Sequence, residues 1–253
     1  MKRLFLKILG AILIVPLIVL VFKPPERSED CDYRICRPFS QDRICEFDVI
    51  EEADSLTFHY ARNKVIPERY RYQVLAALSF YPKLTDVRIS FISRRLRTSM
   101  AARPTPGSVF TPWNRHYHVY FDDVSESNVD FRKASFEAQV GCIIHELAHI
   151  TRYEGQNGYQ LIRDGFRYVT SQRFRSRYEK GTDHIVAEVG GIYYNYLMSA
   201  FISRASAADA DYLEFKKSVY YSPDDLWELH LKYTDDRLKQ RIKGERGPCE
   251  DLP

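Results

Sequence analysis

The feature that most constrains this chain is a pair of histidines four residues apart inside an apolar helical segment. Residues 143–150 read IIHELAHI, in which His145 and His149 are one helical turn apart and Glu146 follows the first. Residues four apart on an α-helix lie on the same face, so both imidazoles point into the same space. Because apolar residues flank them, the pattern predicts a buried helix that presents two nitrogen ligands to the interior.

Two imidazoles in this arrangement have the geometry that a tetrahedral zinc ion requires. Glu146 points in a neighbouring direction, so it can reach a water on the ion without ligating the ion itself. It can then take the proton of that water as the water attacks a carbonyl. The spacing therefore predicts His145 and His149 as metal ligands and Glu146 as a general base, and it disfavours the alternative of two ordinary core histidines.

A catalytic zinc ion of this type needs a third protein ligand, for which a later helical segment offers candidates. Glu179 and Asp183 are four residues apart and share a helix face. We expect Glu179 to ligate the metal and Asp183 to accept a hydrogen bond from the far nitrogen of a ligand histidine. Asp183 itself, His184 and Glu188 remain open as alternative ligands, as does a solvated acidic face paired with neighbouring basic residues.

These residues together resemble the zincins, and within them the gluzincins. In that group H-E-x-x-H on one helix is joined by the glutamate of E-x-x-x-D on a later helix. His145, Glu146 and His149 match the first motif, and Glu179 and Asp183 match the second. Over about residues 70–200 the segments MAARP, HELAHI and YEKGTD also look like a little-studied group of bacterial proteins carrying this motif. The resemblance implies a zinc metallopeptidase that hydrolyses peptide bonds.

Two related patterns fit less well. The third histidine of the metzincins, expected soon after H-E-x-x-H, is absent. The run Gly181-Thr182-Asp183 is faintly similar to the aspzincin pattern, but its spacing departs from it. Asp183 therefore remains the second choice as third ligand.

The N-terminus predicts attachment to a membrane. A short basic stretch is followed by the apolar run 8–22 and then by polar residues. We interpret 1–24 as a signal anchor or transmembrane segment, 25–45 as a cysteine-containing linker, and 46–253 as the metallopeptidase-like domain. No small-x-small cleavage site follows the run, which favours an uncleaved anchor over a cleaved signal peptide. Both interpretations place the body on the extracytoplasmic, periplasmic side.

The cysteines fit that location. Cys31, Cys36, Cys45 and Cys249 flank the domain, and an oxidising compartment would permit disulfides among them. Their pairing cannot be derived from sequence. Cys142 lies inside the apolar helix, where we expect a small buried residue rather than a competing metal ligand.

Charge argues against a nucleic-acid partner. The chain has 37 basic and 34 acidic residues, and Lys2, Arg3 and Lys7 belong to the N-terminal segment. The remaining body is balanced, so it has no general field that would attract nucleic acid. The expected partners are a peptide or protein substrate and, through the anchor, a membrane.

The order of predicted elements indicates an α+β fold that is zincin-like, with a small mixed sheet packed on a long active-site helix and a mostly helical C-terminal part. Helices are predicted over 46–63, 67–80, 135–153, 159–175 and 177–204 and from residue 222, and strands over 87–92 and 116–122, with 100–113 as loop or irregular edge. In a zincin, an extended substrate adds to the edge of a strand near the active-site helix. Either 87–92 or 116–122 could supply that edge, and plain core strands remain the alternative for both segments.

Three further features leave alternatives open. The basic amphipathic segment 159–180 could be a packed helix with a solvated basic face, a lid, or a surface that contacts a membrane. A tetrahedral intermediate needs a donor to its oxyanion, for which Tyr153, His184, Tyr193 and His230 are candidates. The main alternative function is a non-catalytic, metal-stabilised scaffold or binding domain of the cell envelope. A third possibility is that the histidine motif is accidental and the domain is an anchored interaction module.

Overall fold

The computed structural model describes residues 44–96, 98–123, 129–204 and 206–242, with side chains described as far as residue 235. The helices are α1 (Glu46–Glu51), α2 (Ala53–Tyr60), α3 (Arg71–Leu78), α4 (Phe136–Glu154), α5 (Gly158–Thr170), α6 (Gln172–Glu188), α7 (Ile192–Arg204), α8 (Ala210–Val219) and α9 (Pro223–Ile242). The strands are β1 (Lys64–Val65), β2 (Arg88–Ser93), β3 (Met100–Pro104) and β4 (His116–Phe121). The predicted α+β class with a small mixed sheet is confirmed.

The sheet has the order β1-β2-β4-β3, in which only β3 is antiparallel to its neighbour. The segment 100–113, predicted to be loop or irregular edge, does form an edge in its first five residues, but as the regular strand β3. The prediction that 87–92 or 116–122 supplies a free edge is wrong, and the alternative of plain core strands is confirmed, because β2 and β4 lie inside the sheet. The edge nearest the long helix is β3, where Met100 and Ala102 are buried against that helix.

Helix α4 forms the centre of the core, as the sequence predicts. Ser135 caps its N-terminus by accepting a hydrogen bond from the backbone N–H of Ala138. Every residue from Ala138 to Ile150 is buried, because β3, α3, α6 and α7 pack around the helix. At Gly141 a Cβ would lie 2.0 Å from the carbonyl oxygen of Tyr194, so α4 and α7 approach each other backbone to backbone.

Two predicted helix boundaries are wrong. Instead of ending near residue 175, α5 ends at Thr170, because Ser171 caps a new helix by accepting from the N–H of Phe174. The predicted single helix 177–204 is divided between α6 and α7, where Gly190 adopts a left-handed conformation with φ of 82°. The break turns the chain so that α6 and α7 both face α4.

Other boundaries differ less. The predicted helix 46–63 is split into α1 and α2 at Glu52. The helix predicted from Ser222 is confirmed as α9, and α8 was not predicted. Within the described residues no helix combines the length and apolar character needed to cross a membrane. The predicted anchor 1–24 and residues 25–43 of the predicted linker lie outside the described residues. Three of the four cysteines that were expected to form disulfides, Cys31, Cys36 and Cys249, lie outside them as well.

Helix α5 is packed on one side and exposes apolar residues on the other. Leu161 is buried, whereas Ile162, Phe166 and Val169 are 48%, 69% and 73% exposed. Arg163 and Arg167 are exposed as well, so the helix is packed with a solvated face that is both basic and apolar. Its inner face brings Tyr168 to the buried centre described next.

Candidate metal centre

Helices α4 and α6 bring His145, His149 and Glu179 into one buried group that could hold a metal ion. Each offers one ligand atom, and these atoms lie within 4.8 Å of one another. Glu179 Oε2 is 3.1 Å from His145 Nε2 and 3.3 Å from His149 Nε2. Two ligands placed about 2.0–2.1 Å from a tetrahedral ion are separated by roughly 3.3 Å, so the donor spacing fits such an ion.

Asp183 lies one turn after Glu179 and contacts the opposite side of the His145 ring. Its Oδ1 is 2.9 Å from His145 Nδ1 and accepts a hydrogen bond of 2.7 Å from Asn195 Nδ2. Since a carboxylate only accepts, the Nδ1–H of His145 donates to it. This hydrogen bond fixes the ring with Nε2 directed at His149 and Glu179.

The other candidate ligands lie away from this group. His184 Nδ1 is 3.2 Å from the hydroxyl of Tyr233, and its ring packs against Tyr221. Glu188 is exposed near the end of α6. Within the described residues neither side chain belongs to a group with metal-ligand spacing.

The buried charges of this centre depend on one another. Burial would lower the pKa of His145, but hydrogen bonds to Asp183 and Glu179 raise it to about 10. Burial would raise the pKa of Glu179, but the positive charge of His149 and hydrogen bonds from both histidines hold it well below its usual value. Both ring nitrogens of His145 therefore face carboxylates, and the group favours a positive charge at its centre.

Aromatic side chains enclose the ligand residues. Tyr153 and Tyr178 both stack on the ring of His149, with interplanar angles of 17° and 11°. The hydroxyl of Tyr168 donates to Oε1 of Glu179, which leaves Oε2 directed at the two histidines. These contacts fix the rotamers of the ligands before any ion binds.

Glu146 lies beside the ligand group but outside it. It is 7% exposed, and its Oε2 accepts a hydrogen bond of 2.6 Å from the backbone N–H of Ala102 in β3. The hydroxyl of Tyr153 lies 3.5 Å from the carbonyl oxygen of Ala102. The outward backbone groups of this edge strand therefore contact α4, and they hold the carboxylate of Glu146 next to the metal ligands.

A cavity of about 50 Å³ begins at His145 and Glu146 and extends between α4, α7 and α8. Cys142 lines it and is buried, as the sequence predicts. Burial, together with the charge of Glu146, raises the pKa of the Cys142 thiol to about 12, so it remains protonated and a poor metal ligand.

Sequence reasoning identified some of the residues around the centre and missed others. Among the candidate oxyanion donors, Tyr153 lies at the centre, whereas Tyr193 and His230 pack together elsewhere. Missed residues that contact the ligands or line the cavity are Tyr168, Asn195, Lys216 and Tyr220. No motif marks them, because they come from α5, α7 and the α8 region and converge only through packing.

The chain matches no known protein family, no curated protein and no solved structure. The functional interpretation therefore rests on the residues and geometry of the centre itself.

Proposed function

We propose that this protein is a zinc-dependent peptidase in which His145, His149 and Glu179 hold the ion and Glu146 acts as general base. Two imidazoles and one carboxylate, with a position left for water, are the ligand set of many catalytic zinc sites. The observation that carries the proposal is a fourth buried side chain, the Glu146 carboxylate, beside three convergent donors and outside their group. A purely structural site would need no such carboxylate.

A bound zinc ion would supply Lewis acidity, polarising the scissile carbonyl and lowering the pKa of water. Glu146 removes a proton from the attacking water and delivers it to the leaving nitrogen as the carbon–nitrogen bond breaks. One water is consumed, and one carboxylate and one amine are formed. Burial raises the pKa of Tyr220 well above its usual value, so its hydroxyl keeps its proton and can donate to the developing oxyanion.

The proposed location follows from the N-terminal sequence. The basic residues before the apolar run 8–22 favour a cytoplasmic N-terminus and a domain on the outer face of a membrane. The proposed substrates are accordingly peptides or proteins of the periplasmic or external space.

Glu146→Gln tests the catalytic role, because it keeps the shape and the acceptor oxygen but cannot take a proton. We expect peptide hydrolysis to fall by at least about 100-fold while zinc content, measured by metal analysis, stays at the wild-type level. Glu137→Gln, on the first turn of the same helix and more than two turns before the ligand histidines, is the matched control and should retain activity. Unchanged turnover in Glu146→Gln would contradict the proposal.

A non-catalytic scaffold is the second candidate, and the closure of the centre favours it. His145, His149 and Glu179 are only 8%, 7% and 2% exposed, so a substrate would have little direct access to an ion that they hold. A chelator distinguishes the two functions: a peptidase loses cleavage activity when the metal is removed, whereas a scaffold loses only thermal stability. Cleavage that persists in the metal-free protein would contradict both.

A further inference from the structure

The cavity beside the metal ligands contains a lysine without a counter-ion. Lys216, on α8, lines the cavity, and its Nζ lies 3.5 Å from the centroid of the Tyr220 ring. Lys216 makes neither an ion pair nor a hydrogen bond with any residue that the structure describes. A partly buried ammonium held against an aromatic face and open to a cavity is a ready partner for an anion.

The lysine is close enough to the ligands to contact the same substrate. The Tyr220 ring that it covers lies 6.2 Å from the ring of His145, so the ammonium is within about 10 Å of that ring. Burial holds the pKa of Lys216 below its usual value, although the nearby charges of Glu179, Asp183 and Glu146 raise it. A divalent ion at the centre would offset the nearby carboxylates and leave Lys216 without compensating charge.

The size of the cavity limits what can accompany the anion. It measures about 50 Å³. One water needs roughly 10–15 Å³ on this scale, so the cavity has room for about as many atoms as one small amino acid. Met198 and Ile202 of α7 are among the residues that line it, so its wall on that side is apolar.

We propose that Lys216 binds the terminal α-carboxylate of the substrate, so that the enzyme releases one small residue from the C-terminus of a peptide. This inference rests on the proposed peptidase function. The α-carboxylate of the last residue lies roughly 4–5 Å from the preceding carbonyl carbon, which is compatible with a carbonyl at the metal and a carboxylate at Lys216. Hydrolysis adds one water across the last peptide bond and liberates a free amino acid.

Paired substrates test the assignment in the full-length, zinc-loaded protein. N-acylated dipeptides ending in alanine are compared as free acid and as C-terminal amide. We expect wild-type protein to prefer the acid, and Lys216→Met to lose roughly 10- to 100-fold in kcat/KM for the acid but little for the amide. Lys217→Met, which changes the exposed neighbouring lysine, should behave as wild type. Equal cleavage of acid and amide by wild-type protein would overturn the proposal.

Two further arms separate related explanations. Lys216→Arg keeps the charge and should restore part of the preference, which a merely misfolded Lys216→Met variant would not explain. An amide-ended peptide whose last residue is aspartate presents its carboxylate from a side chain instead. If wild-type protein cleaves it as well as the free acid, and Lys216→Met does not, the lysine recognises an acidic side chain and the terminal assignment fails.

Binding without turnover distinguishes failure of this inference from failure of the proposed function. Alanine and alaninamide are titrated into zinc-loaded Glu146→Gln protein and followed by NMR. The Glu146→Gln protein should bind alanine more tightly than alaninamide, and the double variant Glu146→Gln, Lys216→Met should not. That result supports the carboxylate site even if no peptide is cleaved. Turnover of peptides without any such preference would overturn the site and leave the peptidase function standing.

Discussion

Asp183→Asn measures how much the charge beside His145 contributes to metal binding. Asp183 is 2% exposed, and its Oδ1 accepts from His145 Nδ1 at 2.9 Å and from Asn195 Nδ2 at 2.7 Å. An asparagine can place its carbonyl oxygen at the same position, so both hydrogen bonds remain and only the negative charge is lost. Hydrogen bonds to charged groups contribute about 1 kcal/mol more than neutral ones, so we expect zinc affinity to fall roughly fivefold.

Asp183→Ala removes the acceptor as well as the charge. The Nδ1–H of His145 and the amide of Asn195 then lack a buried acceptor, and the histidine ring can rotate. We expect zinc to bind about 100-fold more weakly, at the upper end of the usual effect of losing the partner of a ligand histidine. The dissociation constant is measured by competition with a chromophoric chelator at fixed pH and ionic strength.

An exposed aspartate on another helix provides the control for both Asp183 variants. Asp224→Asn changes an exposed aspartate whose nearest basic partner, Arg204, is 3.8 Å away, and it should leave the dissociation constant unchanged. Affinities within twofold of wild type in both Asp183 variants would refute the orienting role. A loss in Asp183→Asn as complete as in His145→Ala would make Asp183 a ligand.

Two further predictions concern stability. In the metal-free protein, the contribution of His145 is fully present below pH 6.5 and is lost as pH rises toward 10, because the folded state keeps a proton that the unfolded chain has released. The free energy of unfolding, measured by urea titration, should fall by at most about 1.4 kcal/mol per pH unit across that range, and a flat profile would contradict the proton-holding role. Gly141→Ala should cost about 3 kcal/mol or more, because its Cβ would lie 2.0 Å from the carbonyl oxygen of Tyr194. Gly165→Ala, whose Cβ meets nothing within 4 Å, should instead stabilise α5 by about 0.5–1 kcal/mol, and equal effects of the two changes would refute this account of helix packing.

The parts of the centre that lie on one helix could be predicted from the sequence. The convergence of His145 and His149 follows from the period of the α-helix, and so does the shared face of Glu179 and Asp183. Each pair is four residues apart, and each lies within one helix of the structure. Local geometry was sufficient because no other element had to be positioned first.

Features that depend on contacts between elements could not be predicted in the same way. The strand β3 contains two alanines and a proline, which are poor strand formers, and its formation depends on pairing with β4 and packing on α4. The break between α6 and α7 depends on the left-handed conformation of Gly190, which an isolated glycine in a helical pattern does not specify. Lys216 and Asn195 reach the centre only after these helices are packed.

The buried carboxylates connect the stability of the fold to the binding of an ion. Without an ion, Glu179 and Asp183 both face His145, which holds a proton on each ring nitrogen. An ion can bind Nε2 only after that proton leaves, so metal affinity should rise with pH up to about 10 while the metal-free fold loses stability over the same range. Metal affinity and the stability of the metal-free fold change in opposite directions with pH because both depend on the one proton that the ion replaces. A chance cluster of buried histidines and acids could show the loss of stability, but it would not show the matching gain in metal affinity.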